Sequence, residues 1–104
     1  MNIFQHLHGI GRTNTDLKDI IEQGAFLVDV RTPSEFAMGH VNGSVNIPLD
    51  RIPSQLAQFE DRKNIVVFCL SGGRSTQAKL LLEKNGFTNV FNGGTWEQVN
   101  RLVG

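Results

Sequence analysis

The most continuously apolar stretch of the sequence lies between Asn64 and Leu70, and it restricts the chain to folds that contain a buried strand. Within it, Asn64–Phe68 is rich in β-branched and aromatic residues, as strands covered on both faces are. Other short strand-like segments alternate with helix-like segments, a pattern typical of parallel strands joined by crossover helices. The sequence therefore predicts a three-layer α/β/α domain with a parallel sheet of about five strands and Asn64–Phe68 at its centre.

The bounds of the elements follow from the spacing of apolar residues and from capping residues, prolines and glycines at the ends. The predicted strands are Phe26–Val30, Ser44–Ile47, Asn64–Phe68 and Asn89–Phe91. The predicted helices are Thr13–Gln23, a short helix from Pro33 to near Gly39, Ile52–Phe59, Ser75–Lys84 and Thr95–Leu102.

The composition of the 104 residues narrows the classes of function. Lys and Arg total 10, as do Asp and Glu, so the formal net charge is zero and no broad attraction for nucleic acid or an anionic membrane is expected. No apolar segment reaches membrane-spanning length, and Met1–Gly11 lacks the pattern of a signal peptide. We therefore expect residues 1–104 to form a single cytoplasmic domain without a nucleic-acid or membrane partner.

The chain has one cysteine, Cys69, so neither an intramolecular disulfide nor a four-cysteine zinc site is possible. A lone cysteine is either an apolar core residue or a reactive thiol. Cys69 lies at the carboxyl end of the predicted central strand, which is where open parallel sheets bind ligands. A helix begins a few residues later and directs its positive dipole end toward the same place. This position favours the reactive thiol.

The residues that join Cys69 to this helix form what we call the cradle loop, and they are Leu70, Ser71, Gly72, Gly73, Arg74 and Ser75. Gly72 and Gly73 permit positive φ angles, so that successive N–H groups can turn toward the sulfur. With Arg74 nearby, these groups should lower the pKa of the Cys69 thiol, and the thiolate is the nucleophilic form. The alternative is an ordinary strand-to-helix turn with Ser75 as the helix cap and Cys69 buried by chance.

Several segments resemble the rhodanese homology family, whose active-site cysteine ends a central strand and opens a short loop leading to a helix. The first signature of the family is similar to Leu27–Arg31, Glu35–Phe36 and Gly39–Pro48, and its final turn and helix are similar to Asn92–Trp96. The resemblance covers nearly the whole chain. It implies a rhodanese-like fold with five parallel strands in the order 1-5-4-2-3.

The resemblance also implies a thiosulfate sulfurtransferase. Cys69 would accept the outer sulfur of thiosulfate or a similar sulfane donor as a persulfide and pass it to a thiol, cyanide or a protein acceptor. The backbone N–H groups of Leu70–Arg74 would hold the charge of the terminal sulfur, in the manner of an oxyanion hole. Arg74 would bind the anionic end of the donor or lower the pKa of the thiol. Because no second cysteine is present, the sulfur must leave to an outside acceptor.

Two other functions remain open. The family includes phosphatases and arsenate reductases, but the four residues between Cys69 and Arg74 are one fewer than in the phosphatase-type loop. Phe68 also stands where the tyrosine phosphatases place histidine. The other alternative is a binding or regulatory module that keeps the fold without turnover, and an intact loop with Cys69 weighs against it.

Four polar residues of the first signature, Asp29, Arg31, Glu35 and His40, have the residue types of an acid–base site. Their match to the family signature favours a role in bracing strand ends and loops. Asp29 is the one we expect nearest to the edge of the site, whereas His40 is expected to be a hydrogen-bonded structural histidine.

No metal or cofactor is expected. His6 and His8 lack a third ligand, which catalytic zinc requires. Gly9–Gly11 resembles the start of a dinucleotide-binding loop, but it lacks the third spaced glycine and precedes the first clear strand.

Overall fold

The computed structural model describes residues 14–103 and contains one parallel β-sheet with helices between its strands. The strands are β1 Phe26–Asp29, β2 Val45–Asn46, β3 Ile65–Cys69 and β4 Val90–Thr95. The α-helices are α1 Asn14–Glu22, α2 Pro33–Ala37, α3 Gly73–Lys84 and α4 Trp96–Val103. Two 3₁₀ segments, Leu49–Ser54 and Leu56–Phe59, follow β2. Within residues 14–103, no helix has the length and apolar character needed to cross a membrane.

The strands lie in the order β2-β1-β3-β4, and every neighbouring pair is parallel. β3 lies inside the sheet between β1 and β4, and all of its residues are buried. The prediction of a parallel sheet with the apolar stretch at its centre is confirmed. The expected order 1-5-4-2-3 requires a further strand before β1, and residues 1–13 lie outside the described part of the chain. The structure describes four strands, whereas five were expected. If β1 is counted as the second strand of the expected five, the observed order β2-β1-β3-β4 is the remainder of the expected order, 5-4-2-3 read in reverse.

Both faces of the sheet are covered by helical segments. Successive side chains of β3 point to opposite faces and so enter two different buried clusters. Ile65, Val67 and Cys69 belong to one buried cluster, which α3 and the 3₁₀ segments complete. Val66 and Phe68 belong to a second cluster, which α1 and α4 complete. The predicted three-layer α/β/α architecture is therefore confirmed.

The predicted helix over Ile52–Phe59 is wrong in type. The structure has two 3₁₀ segments there, and Gln55 between them has φ −129° and ψ 30°. Pro53 would lie in the first turn of the predicted helix, where proline is tolerated, so the non-helical backbone of Gln55 is what divides the segment. The apolar residues of the predicted face are still buried, with Ile52 and Phe59 both in the core.

β4 is longer than the predicted strand, and it includes Gly93 and Gly94, which the sequence indicated as a turn. The strand has a bulge: Val67 pairs with Asn92 and Phe68 with Gly94, so that Gly93 is the extra residue. A Cβ atom on Gly93 would lie 2.7 Å from Cγ2 of Val99 in α4. Glycine at this position therefore lets α4 pack closely on the sheet.

Candidate active site

Cys69 ends the central strand and is fully buried beneath the first turn of α3. Gly72 caps α3 with φ 101° and ψ −16°, the left-handed conformation that glycine adopts without a steric penalty. Gly73 was expected to share this conformation, but it is the first residue of α3 and is not among the residues with positive φ. The helix accordingly begins two residues before the predicted start at Ser75.

The sulfur of Cys69 is surrounded by hydrogen-bond donors from the cradle loop. The backbone N–H groups of Gly72 and Ser75 donate to Sγ at 3.0 Å and 3.3 Å. The thiol itself donates to the hydroxyl oxygen of Ser75, which lies 3.6 Å from the sulfur. Within the described residues, no hydrogen bond joins the N–H groups of Leu70, Gly73 or Arg74 to this sulfur.

The carbonyl group of Gly72 is held by hydroxyl groups of the first turn of α3. Ser75 Oγ and Thr76 Oγ1 donate to it at 3.0 Å and 2.9 Å. The side chain of Asn92, in β4, donates in turn to Thr76 Oγ1 at 3.0 Å, and Gly94 O lies 3.4 Å from Ser75 Oγ. The bulge in β4 thus supports the turn that directs the Gly72 N–H group at the sulfur.

These contacts decide the acidity of the thiol. Burial raises the pKa of Cys69, but the Ser75 hydroxyl and the N–H groups of Ser75, Gly72 and Ser71 together outweigh it. The net result is a pKa below the ordinary value of cysteine. Hydrogen bonds stabilise the charged form here, as expected for a sulfur at the N-terminus of a helix.

We expect the Cys69 thiolate to form at lower pH than in a free cysteine, whose pKa is about 8.5. Because its pKa in the folded state is lowered, ionisation of Cys69 stabilises the fold above the unfolded-state pKa, and this contribution is lost as the pH falls through the folded-state pKa. A pH titration of the ultraviolet thiolate absorbance measures the midpoint directly. Ser75→Ala should move the midpoint upward, because it removes the hydroxyl group near the sulfur. A wild-type midpoint at or above that of free cysteine would contradict the expectation.

Arg74 lies at the rim of the cradle loop and forms a two-pronged ion pair with Glu35 of α2. Its Nη1 and Nη2 atoms lie 2.8 Å and 3.1 Å from Oε1 and Oε2 of the carboxylate. About a third of each side chain is exposed, 33% for Arg74 and 29% for Glu35. The hydrogen bond to Glu35 raises the pKa of Arg74, and the charges of Cys69 and Asp29 add smaller contributions in the same direction.

From the sequence, Glu35 was expected only to brace strand ends and loops, and its contact with Arg74 was missed. Glu35 forms a capping box with Thr32 at the start of α2, where its Oε1 accepts the Thr32 N–H at 2.9 Å. The hydrogen bonds from Arg74 and Thr32 lower the pKa of Glu35 to about 2. The spacing of Thr32 and Glu35 is the sequence signal of a capping box, but it gives no sign of the contact with Arg74.

Asp29 and Arg31 form an ion pair that is almost fully enclosed, with side chains 0% and 4% exposed. Arg31 Nη2 lies 2.7 Å from Asp29 Oδ2 and donates to the carbonyl of Gly39 at the same distance. The guanidinium also lies over the ring of Trp96, 4.7 Å from its centre. The pair joins the end of β1 to the segment before β2 and to α4, and the hydrogen bonds found for the Cys69 sulfur are with residues of the cradle loop rather than with this pair.

His40 is exposed and lies outside the cradle. Its Nδ1 atom lies 2.9 Å from the carbonyl oxygen of Phe36, and its ring stacks on the ring of Phe36 at 3.8 Å between centres.

Among residues 14–103, no cluster of three or more His, Cys, Asp or Glu side chains is placed to hold a metal ion. His6, His8 and Gly9–Gly11 lie outside the described residues, so what the sequence predicts for them stays a prediction.

A protein-family model for the rhodanese-like domain matches residues 13–97. The sulfurtransferase of Allochromatium vinosum is 34% identical over 77 residues, which are 74% of this chain and 67% of that protein. The thiosulfate sulfurtransferase PspE of Escherichia coli is 39% identical over 69 residues, which are 64% of this chain and 66% of that protein. The chain thus spans about two thirds of the length of these two relatives.

A solved structure of a rhodanese with anions from Escherichia coli is similar in fold. It is 35% identical in sequence, superposes with a TM-score of 0.66, and the match covers 72% of this chain and 91% of that chain.

Proposed function

Because the chain belongs to the rhodanese-like domain family and has sulfurtransferases among its relatives, we propose that it transfers sulfane sulfur through a persulfide on Cys69. The observation that carries the proposal is the convergence of two backbone N–H groups, from Gly72 and Ser75, on the sulfur of the chain's one cysteine. Donors placed in this way stabilise a thiolate, which is the form of cysteine that attacks sulfur.

The first half of the reaction loads Cys69. Its thiolate attacks the outer sulfur of a donor such as thiosulfate, the S–S bond of the donor breaks, and sulfite leaves with the electron pair. The product is the persulfide of Cys69, whose outer sulfur carries the negative charge. The N–H groups of Leu70–Arg74 are proposed to hold this charge, with Gly72 and Ser75 directed at the inner sulfur.

The second half unloads Cys69. A thiol, cyanide or a protein acceptor attacks the outer sulfur, and the Cys69 thiolate leaves. Its lowered pKa makes it a good leaving group. The chain has no second cysteine to attack the persulfide, so the acceptor comes from outside.

The mass of the intact protein tests this proposal. Reduced protein incubated with thiosulfate and freed of excess reagent should gain the mass of one sulfur atom, because Cys69 is the only thiol. Cyanide should remove the added sulfur and restore the starting mass, and prior alkylation of Cys69 should prevent the gain. If no sulfane donor adds mass to protein whose thiol still reacts with an alkylating reagent, the chain is a binding module and the proposal is wrong.

A further inference from the structure

Both arginines near the cradle loop are matched by carboxylates. Arg74 donates through Nη1 and Nη2 to the two oxygens of Glu35, and Arg31 is paired with Asp29 in the interior. A fork of this kind is the strongest geometry for an arginine–carboxylate pair. The guanidinium of Arg74 is therefore already occupied in the absence of a donor.

This pairing decides which sulfur donors the site attracts. A doubly charged anion that approaches Arg74 also approaches the carboxylate of Glu35, which lies within 3.1 Å of both terminal nitrogens. The attraction by one charge is then largely cancelled by the repulsion of the other. The remaining stabilisation comes from the N–H groups around the sulfur, which suit the single charge of a thiolate or persulfide.

We propose that Glu35 sets the donor preference of this site, disfavouring doubly charged donors such as thiosulfate and favouring organic persulfides, R–S–SH. The inference rests on the proposed function, since it names the donor class for the same persulfide on Cys69. Leu70, the next residue after Cys69 in the chain, exposes 52% of its surface, so the cradle loop presents an apolar side chain to solvent. Such a side chain suits an organic R group better than a sulfonate.

The step balances without a further reagent. The Cys69 thiolate attacks the outer sulfur of R–S–SH, the S–S bond of the donor breaks, and R–S⁻ leaves with the electron pair. The proton stays on the transferred sulfur and is then lost to solvent, which leaves the persulfide anion on Cys69. The Cys69 sulfur is formally oxidised and the inner sulfur of the donor is reduced by the same amount, so the exchange needs no outside oxidant or reductant.

Glu35→Gln removes the carboxylate charge with little change in shape. Glutamine also closes a capping box, so the contact with the Thr32 N–H group is kept and α2 should remain folded. The guanidinium of Arg74 is left with its full charge. If Glu35 acts through this charge, thiosulfate gains from the substitution and a persulfide does not.

The experiment measures the second-order rate constants for loading Cys69 from thiosulfate and from cysteine persulfide, by quenching and intact mass. We expect Glu35→Gln to raise the ratio of the thiosulfate constant to the cysteine persulfide constant by roughly tenfold or more. Glu83→Gln is the matched control. It makes the same change of charge in the exposed Lys79–Glu83 pair, near the far end of α3, and should leave the ratio unchanged.

Ionic strength supplies a second measurement that needs no variant. Loading of the wild type from thiosulfate should depend only weakly on salt, because the ion pair has no net charge, whereas loading of Glu35→Gln should slow as salt rises. A strong slowing of wild-type loading by salt would overturn the inference.

The outcomes separate the two proposals. If the wild type loads from neither donor, the proposed function fails. If it loads and Glu35→Gln leaves the ratio unchanged or lowers it, only the inference about Glu35 is overturned. If Glu35→Gln lowers the loading rate constants for both donors by the same factor, the inference is also overturned, because Glu35 then only positions Arg74.

Discussion

Cys69→Ser is expected to abolish sulfur transfer and to leave the fold nearly unchanged. Serine is similar in size to cysteine and is not ionised at neutral pH, so it offers no thiolate to attack the donor and no sulfur to carry a persulfide. Its hydroxyl oxygen can still accept from the N–H groups of Gly72 and Ser75. Turnover should fall by at least roughly a thousandfold, since the nucleophile is lost and only binding remains.

Thiocyanate formation from thiosulfate and cyanide measures this loss, and denaturant unfolding checks the fold. The control is the double variant Cys69→Ser, Ser54→Cys, which restores one thiol at an exposed position outside the cradle. It should stay as inactive as the single variant, because a thiol without the cradle has an ordinary pKa. Wild-type turnover in Cys69→Ser would show that Cys69 is not the nucleophile.

Among the substitutions considered for this protein, Asp29→Asn is expected to cause the largest loss in the free energy of unfolding. Asparagine has nearly the shape of aspartate, but it leaves the guanidinium of Arg31, 4% exposed, without its counter-ion. Its amide nitrogen also faces guanidinium nitrogens that need an acceptor. Breaking a buried ion pair at one partner costs about 3–5 kcal/mol of the free energy of unfolding.

Urea unfolding of Asp29→Asn beside Glu83→Gln isolates the effect of burial. The Lys79–Glu83 pair is exposed, with side chains 34% and 40% accessible, so its loss should cost less than about 1 kcal/mol. Adding Arg31→Met to Asp29→Asn should recover part of the lost stability, because the uncompensated charge is removed. A loss in Asp29→Asn no larger than in Glu83→Gln would mean that the buried pair contributes little to the fold.

Hydrophobic pattern was enough to place the elements of the sheet. The apolar stretch after Asn64 forms the central strand Ile65–Cys69, and the predicted strand from Phe26 and helix to Lys84 are present with ends shifted by one or two residues. Side chains of a strand alternate between its two faces, so a strand buried on one or both faces shows a recognisable pattern of apolar residues in the sequence.

The sequence pattern failed where a distant contact determined the local structure. Gly93 and Gly94 have the composition of a turn, yet they continue β4, since the close approach of Val99 requires a residue without a side chain at Gly93. In the segment after β2, two 3₁₀ segments separated at Gln55 stand in place of the predicted helix, although Ile52 and Phe59 of the predicted face remain buried.

The sequence by itself indicated the proposed nucleophile, Cys69, and the loop around its sulfur, because Cys69, Gly72 and Ser75 are near neighbours along the chain. Only the tertiary structure decided how Arg74 is used. Its partner Glu35 lies 39 residues away, after a different strand. β1 and β3 are adjacent and parallel, so the segments that leave their carboxyl ends, α2 and the cradle loop, meet at one edge of the sheet. Strand order therefore decides that the charge of Arg74 is paired with a carboxylate, and the local pattern of residues does not contain the strand order.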